Sequence, residues 1–435
     1  EPNHHQRTPI MNPIGNGHDR QITVGLDIGA STITCAIGQI IPQTKRVKLL
    51  GISTITSAGF RRGTITNRDE LIVKIEKALT NAELMANVKV TKAILSITGD
   101  HIRCLNTQAA IALNRSSGRT DGLSERSIND DDIYQVLDLA QAVSLPVDRD
   151  ILHTLPQEYL VDTLKEIKNP IGMTGRRLEG RVHLVTAATT AMKNLVSCVE
   201  ELGITVDGLV FQPLASALAT LHEDEMELGV TLVEIGSSTT NIAVYHGSAV
   251  RHSAIIPIGS SSITNDIAVM LQISIDEAEN IKMKYASARA SMSSPKLEIE
   301  LPSESGQLQR SVPEQEISRY VEARMHEIFQ MVIREISRAD IKDPLTYGIV
   351  MTGGGAQLRN IVPLAENSLG VKVRQGKPIK IDGVQDIADG PSHTTVMGLL
   401  LWPLYATDHV RLHQSTSGGF SGLFEKIRHT IEDLF

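Results

Sequence analysis

Aromatic side chains are scarce in this chain: one Trp, seven Tyr and six Phe make up 3% of its 435 residues. The formal net charge is -8, so the sequence supplies neither the stacking platforms nor the positive field of a nucleic-acid surface, and no nucleic-acid partner is expected. Cysteine is just as sparse. Cys35, Cys104 and Cys198 lie far apart, with no CxxC pair and no Cys/His ligand spacing, which argues against a disulfide framework or zinc site and for buried thiols in a reducing compartment. Long apolar runs are missing too. The best candidate, Val396 to Leu404, is interrupted by Gly398 and Pro403 and falls short of the roughly 18 to 20 residues of a membrane span. No charged n-region followed by an apolar core opens the chain, so export is not expected. HExxH, GxSxG, Walker A and EF-hand patterns are likewise absent.

What is present is a globular balance of 41% hydrophobic and 21% charged residues, in a chain long enough for roughly two to four cores. The first twenty residues, rich in Pro, Asn, Gly and His with Met11 as a candidate start, read as a flexible arm. From Gln21, strand-like runs Ile22 to Ile28, Thr32 to Ile40 and Val47 to Thr56 precede a helix, Arg68 to Ala86, with apolar residues at helical spacing. That order predicts a mixed sheet backed by helices. Polar stretches Asn114 to Asp132 and Ser291 to Pro313 are expected as long loops, and 406–419 as a linker.

The most informative feature is an internal repeat. Asp27-Ile-Gly-Ala-Ser-Thr-Ile-Thr-Cys-Ala36 aligns without gaps on Glu234-Ile-Gly-Ser-Ser-Thr-Thr-Asn-Ile-Ala243, 207 residues later. Each copy is an apolar strand ending in a carboxylate, a tight small-residue turn and a second strand. Two such hairpins imply two domains of common plan. A phosphate chain needs backbone N–H groups aimed at its oxygens and residues small enough to let the backbone approach. Gly29, Ala30, Ser31 and Thr32 supply this in the first turn, and Gly236, Ser237, Ser238 and Thr239 in the second. Asp27 and Glu234 are then expected to face each other across a cleft, able to hold Mg2+ through its waters. Two loops clamping one phosphate chain would couple ligand to domain closure. A third element, Ile349-Val-Met-Thr-Gly-Gly-Gly-Ala-Gln-Leu358, reads as a buried strand running into Gly353, Gly354 and Gly355 and then a helix, a place for a flat base or ribose to lie against backbone.

These three motifs resemble the phosphate 1, phosphate 2 and adenosine motifs of the superfamily of actin, heat-shock chaperones and sugar kinases. Phe211 to Leu218 is similar to that superfamily's first connecting helix and Thr394 to Trp402 to its second. The resemblance implies ATP with Mg2+, places Gln212 where a residue orients attacking water, and puts Glu279 and Lys282 beside the ribose and base. Leu155-Pro-Gln-Glu-Tyr159, Lys168-Asn-Pro-Ile-Gly-Met-Thr-Gly-Arg-Arg-Leu-Glu179 and Ser262-Ile-Thr-Asn-Asp-Ile-Ala268 narrow the likeness, over about Gln21 to Tyr405 and the tail, to the FtsA family of bacterial actin homologues of the cell-division ring. The fold this implies is α/β: an actin-like, ribonuclease H-like duplicated pair of domains with an inserted 1C subdomain and a C-terminal amphipathic helix. The implied boundaries are 21–90, 166–207 and 396–405 for subdomain 1A, 91–165 for 1C, 208–258 and 319–395 for 2A, and 259–318 for 2B. The resemblance also implies head-to-tail filaments, divisome partners at 1C, and binding of the C-terminal peptide of FtsZ at 2B, with Arg310, Glu314 and Arg319 near the groove.

The tail reads without the family. At about 100° per residue, Phe420, Leu423, Phe424, Ile427, Ile431, Leu434 and Phe435 fall within one arc of about 120°, the pattern of a helix lying in a membrane surface. Lys426 and Arg428 are outnumbered by Glu425, Glu432 and Asp433, so apolar insertion must dominate over attraction to anionic lipid. The expected location is the inner face of the cytoplasmic membrane at the septum. A PilM-like pilus-assembly adaptor shares the insertion but not this helix, and a sugar kinase has no use for it. In the second loop Glu234, Ser237 and Ser238 stand where the superfamily pattern has Asp and glycines. A longer carboxylate arm and a bulkier turn predict ATP binding with weak or negligible hydrolysis, since such catalysis rests on positioning.

Overall fold

The computed structural model describes residues 21–113, 126–301, 310–339, 341, 345–383 and 388–409, with side chains as far as Tyr405. The first twenty residues and 410–435, including the seven apolar tail residues, lie outside the described residues.

Strands Ile22–Ile28, Thr32–Ile41 and Arg46–Thr56 form an antiparallel meander at the centre of a six-stranded sheet. Lys92–Ile97 and Thr205–Phe211 extend it in parallel on one side, and Ile381–Asp382 on the other. Helix Arg68–Ala86 covers one face through Leu71, Ile75, Ala78, Leu79 and Ala82. It starts at Asn67, whose Oδ1 accepts the Glu70 N–H at 3.3 Å, and stops at Asn87 in the left-handed region with φ 51°. The second domain repeats the plan: Val230–Ile235, Thr240–His246 and Ala249–Ile256 form a meander, which Ile349–Thr352 and Val373–Gln375 extend in parallel. Ile28 pairs with Ile33 in one hairpin and Ile235 with Thr240 in the other, so the sequence offset is kept in three dimensions.

The insertion is an antiparallel sheet of Leu164–Ile167, Arg149–Val161, Arg177–Ala188 and Arg103–Ala112, backed by helix Asp130–Gln141. It has its own core, in which Ile111, Val136, Leu137, Leu178 and Leu184 are buried. The 91–165 boundary therefore needs correcting at both ends. Lys92–Ile97 sits in the first domain's sheet, and Arg177–Ala188 completes the insertion. Strand character is local, whereas the sheet a strand joins is decided by partners far along the chain. For the same reason Gly208 to Phe211, the end of strand Thr205–Phe211, and Ile381–Asp382 belong to the first sheet rather than to 2A. The expected loop Asn114 to Asp132 ends early, because Asn129 and Asp132 form a reciprocal capping box that starts a helix at Asp130. Ser291 to Pro313 contains a small ribbon, Glu298–Glu300 paired with Ser311–Pro313. The last helix, Thr394–His409, runs four residues into the expected linker.

Two helices connect the domains. Gln212–Thr220 and Thr394–His409 cross so closely that a Cβ on Gly398 would stand 1.7 Å from the Ala215 carbonyl oxygen. Among the described residues no helix is long and apolar enough to cross a membrane.

Candidate functional site

Both hairpin turns and the triglycine segment open onto one cleft of about 520 Å³, lined among others by Asp27, Gly29, Ala30, Ser31, Thr32, Gln212, Glu234, Gly236, Ser237, Glu279, Lys282, Gly353, Gly354 and Gly355. The two turns have the same internal geometry. Gly29 N–H donates to the Thr32 carbonyl and Gly236 N–H to the Thr239 carbonyl, each at 2.9 Å. A Cβ on either glycine would approach that carbonyl to 2.9 or 3.1 Å, which is why both turns begin with glycine. They differ in anchorage. The N–H groups of Ser260 and Ser261, opening helix Ser260–Leu271, donate to the carbonyls of Gly236 and Ser237 at 2.9 and 2.8 Å. In the second turn Gly236 and Ser237 line the cleft, Ser238 is half-buried and Thr239 is buried.

The triglycine is also divided. Gly353 has φ 83°, and a Cβ there would stand 2.4 Å from the Ile235 carbonyl; one on Gly355 would strike the Ile235 side chain at 2.4 Å. Both let the segment close on the second hairpin. Gly354, with nothing within 4 Å of an added Cβ, is the open one. On the opposite wall, capped helix Ile275–Tyr285 carries Glu279 and Lys282. Lys282, with 7% of its side chain exposed, donates to Glu279 at 2.7 Å and Thr264 Oγ1 at 2.8 Å, so the lysine is a built part of the wall while Glu279, 46% exposed, meets solvent.

The two carboxylates do different things. Asp27 accepts a hydrogen bond from Ser96 Oγ at 2.5 Å and otherwise faces the cleft. Burial pushes its carboxyl up to about 7; the Ser96 bond opposes this and the Glu234 charge adds to it. Glu234, 2% exposed, is bound on both oxygens. Oε1 accepts from Thr395 at 2.5 Å and Ser216 at 2.7 Å, and Oε2 from Asn241 Nδ2 at 3.1 Å. Burial raises its carboxyl above the ordinary value, and these three donors pull it back. Ser216 and Thr395 sit on the two connecting helices, so Glu234 knots the second hairpin to the hinge. Both carboxylates line the cleft, Asp27 with the single Ser96 bond and Glu234 with three donors. Among the described residues no group of three or more His, Cys, Asp or Glu converges on a metal position. Gln212 joins the same knot, donating to Thr395 Oγ1 at 3.3 Å and accepting from Asn241 at 3.1 Å. Thr98, from the first domain, donates to Asn241 at 2.9 Å and closes the knot across the cleft floor.

Sequence reasoning missed Ser96, Thr98, Ser216, Asn241 and Thr395. One signal was available for Asn241, since the repeat aligns it with Thr34, another cleft residue. The three residues expected near a peptide groove part company. Arg319 is exposed, Arg310 donates to the Leu271 carbonyl at 2.8 Å, and Glu314 is 4% exposed, accepting from the Ser294 N–H and pairing with Arg359. Glu314 is thus a buried anchor at the start of helix Glu314–Arg338 and unavailable for recognition. Of the cysteines, Cys35 and Cys198 are buried and Cys104 partly so, all unpaired.

The family described as "Cell division protein FtsA" matches residues 231–398, and the "SHS2 domain inserted in FTSA" matches 99–186, the inserted sheet. A cell division protein FtsA of Pseudomonas aeruginosa is 38% identical over 384 residues, covering 88% of this chain and 89% of its own. That of Neisseria meningitidis is 36% identical over 423 residues, covering 96% and 99%, and that of Escherichia coli 34% over 389, covering 88% and 90%. Among solved structures, a PilM–PilN type IV pilus biogenesis complex superposes with TM-score 0.63 at 15% identity, over 88% of this chain and 98% of that one. MreB 5 of Spiroplasma citri bound to AMPPNP does so with TM-score 0.53 at 12% identity, over 96% and 100%. These two share the fold alone, which is actin-like. With identity above one third sustained along nearly its whole length and the FtsA-type insertion in place, the chain belongs to the FtsA family of cell division proteins.

Proposed function

We propose that this FtsA-family chain binds Mg-ATP in the cleft and, in that state, polymerises head to tail on the inner face of the cytoplasmic membrane, where it anchors FtsZ at the division septum. The observation that carries the nucleotide reading is the convergence of two equivalent glycine-led turns and an open Gly354 on one cleft. Its volume lies within the usual span for small-molecule sites of roughly 300–1,000 Å³. The N–H groups of Gly29 to Thr32 and of Gly236 and Ser237 would hold the phosphates, with Glu279 and Lys282 beside the ribose and base and Gly354 under them. Asp27 would hold the hydrated Mg2+, whose charge offsets that of the phosphates. Binding of a fluorescent ATP analogue, strengthened by Mg2+, tests this; no binding in any Mg2+ concentration overturns it.

Hydrolysis is expected to be slow because Glu234 and Gln212 are committed to the hinge and cannot turn freely toward water. Turnover below about 1 per second, the lower end of the usual enzyme range, is the expected result of a phosphate-release assay. A faster rate contradicts the reading of the cleft as a structural switch.

The FtsZ C-terminal peptide is assigned to the region around helices Ser260–Leu271 and Glu314–Arg338, and other divisome partners to the insertion. Residues 420–435 supply the lipid anchor. Seven large apolar side chains at ~1.5 to 3 kcal/mol each give on the order of 10 kcal/mol gross before the helix is ordered, enough for reversible attachment, and a filament joins many anchors into firm attachment. Removing 420–435 should abolish co-sedimentation with liposomes and leave ATP-analogue binding unchanged; persistent sedimentation with lipid rejects the anchor.

A further inference from the structure

Away from the cleft, the insertion touches the second domain along the edge strand Ala249–Ile256. An open strand edge leaves carbonyls unpaired, and here the insertion meets them. Gln157 Nε2 donates to the Val250 carbonyl at 2.8 Å and Asn106 Nδ2 to the Arg251 carbonyl at 3.0 Å. Arg251 is the residue skipped where the edge strand's register slips, so its carbonyl is turned out of the ladder. Behind these two amides lies His183, 1% exposed. Its Nδ1 donates to Asn106 Oδ1 at 2.6 Å, fixing that amide, and its Nε2 accepts from Ser253 Oγ of the edge strand at 2.7 Å. Burial lowers the imidazole to about 3, and the neutral ring spends one nitrogen on each side of the boundary. Burial raises the neighbouring Cys104 thiol, and the same Ser253 hydroxyl opposes this. Farther out, Lys168 pairs with Glu227 at 2.5 Å, but both side chains are substantially exposed, so this link contributes little. Two of the segments that set this chain apart from the wider superfamily, Leu155 to Tyr159 and Lys168 to Glu179, thereby supply Gln157 and Lys168 to one boundary.

We infer that Asn106, Gln157 and His183 form a latch by which the inserted subdomain grips the second domain, so that a partner drawing the insertion away from the strand Ala249–Ile256 loosens the cleft and speeds nucleotide release. The physical ground is directional. The connecting helices Gln212–Thr220 and Thr394–His409 pack on each other, and Ala249–Ile256 packs on the insertion, so a change in the angle between the domains would also shift that strand against the insertion. Apolar packing tolerates such sliding, but the buried His183–Ser253 bond and the part-buried Gln157–Val250 bond do not, because separating them leaves desolvated groups unpaired; the exposed Asn106–Arg251 bond adds less. Latch and cleft are therefore coupled, and the coupling is reciprocal: nucleotide that closes the cleft seats the insertion. The inference rests on the nucleotide reading above.

Cys104 supplies the test. Ser253→Cys places a second thiol beside Cys104, so mild oxidation of the full chain should close a 104–253 disulfide that locks the latch, and dithiothreitol should open it. Dissociation of a fluorescent ATP analogue, followed by chasing with unlabelled ATP, is expected to slow about five- to tenfold on oxidation, the lower part of the usual range of allosteric coupling, and to recover on reduction. Gln157→Ala should speed release about threefold or more with an unchanged circular-dichroism spectrum. Failure of the disulfide to form overturns the geometry. Equal release rates in the oxidised and reduced forms overturn the latch alone, and absence of analogue binding by the unsubstituted chain overturns both the latch and the nucleotide reading.

Discussion

Gly398→Ala is expected to lower the melting temperature by about 8 to 16 °C and to weaken ATP binding, although residue 398 does not reach the cleft. The added methyl would stand 1.7 Å from the Ala215 carbonyl oxygen and 2.2 Å from its carbon. Both are backbone atoms of a helix buried along most of its length, so no flexible side chain can give way. The two connecting helices must separate. That overpacks the core beneath them, at about 1–3 kcal/mol, and stretches the Thr395 and Ser216 hydrogen bonds to Glu234, now 2.5 and 2.7 Å. Hydrogen bonds to a charged group contribute about 1.5–3 kcal/mol. A total near 4 kcal/mol is a large part of the 5–15 kcal/mol of a typical fold, and at about 2–4 °C per kcal/mol it gives the stated shift. Gly354→Ala is the matched control. Its methyl meets nothing within 4 Å, and its φ lies outside the left-handed region, so its melting point should stay within about 2 °C. Because Gly354 lines the cleft, the same methyl should still reduce ATP affinity about tenfold, roughly 1.4 kcal/mol. Scanning calorimetry with analogue titration separates the two; a Gly398→Ala protein melting like the unsubstituted chain contradicts the helix-contact argument.

The contrast between these glycines marks what could be read from sequence. The hairpins were legible because everything that makes them, a strand, a glycine-led turn and a second strand, lies within ten residues, and the repeat supplies a second witness. Helix Arg68–Ala86 was legible to its ends because its caps are adjacent residues. What was illegible depends on long-range partners. Glu234 read as a metal-side carboxylate, yet its donors Ser216 and Thr395 are 18 and 161 residues away. Glu314 read as a charge near a peptide groove, yet it is buried and paired with Arg359, 45 residues on. Lys92–Ile97 was placed with the insertion because its sheet neighbours, Ile22–Ile28 and Thr205–Phe211, lie far along the chain. The triglycine lay between these cases: the strand running into it is present, but which glycine is open depends on Ile235.

Asp27→Asn is expected to stabilise the ligand-free protein at pH 8 while removing the Mg2+-dependent part of ATP binding. Burial and the nearby Glu234 charge lift the folded Asp27 carboxyl from 3.8 to about 7 even against the Ser96 bond. A folded value above the unfolded one means the folded chain holds this proton more tightly. The favourable contribution is therefore complete below about pH 4 and is lost as pH rises through about 7. At about 1.4 kcal/mol per pH unit the displacement corresponds to about 4 kcal/mol, and opening of the side chain to cleft water reduces this to about 2 kcal/mol. Asparagine keeps the acceptor for Ser96 Oγ and carries no charge, so the variant should lack this fall between pH 5 and 8 and melt higher at pH 8. Saturating Mg-ATP should reverse the order. Ligand at 100 times its Kd adds about 2.7 kcal/mol to the folded state, a gain open to the unsubstituted chain and largely closed to the variant. Thermal shifts at pH 5 and pH 8, with and without Mg-ATP, make a four-way comparison. If Asp27→Asn melts lower than the unsubstituted chain at pH 8 without ligand, Asp27 is a structural carboxylate like Glu234. If it melts higher and gains nothing from Mg-ATP, the strain stored in that carboxylate is the part of the fold kept for the ligand.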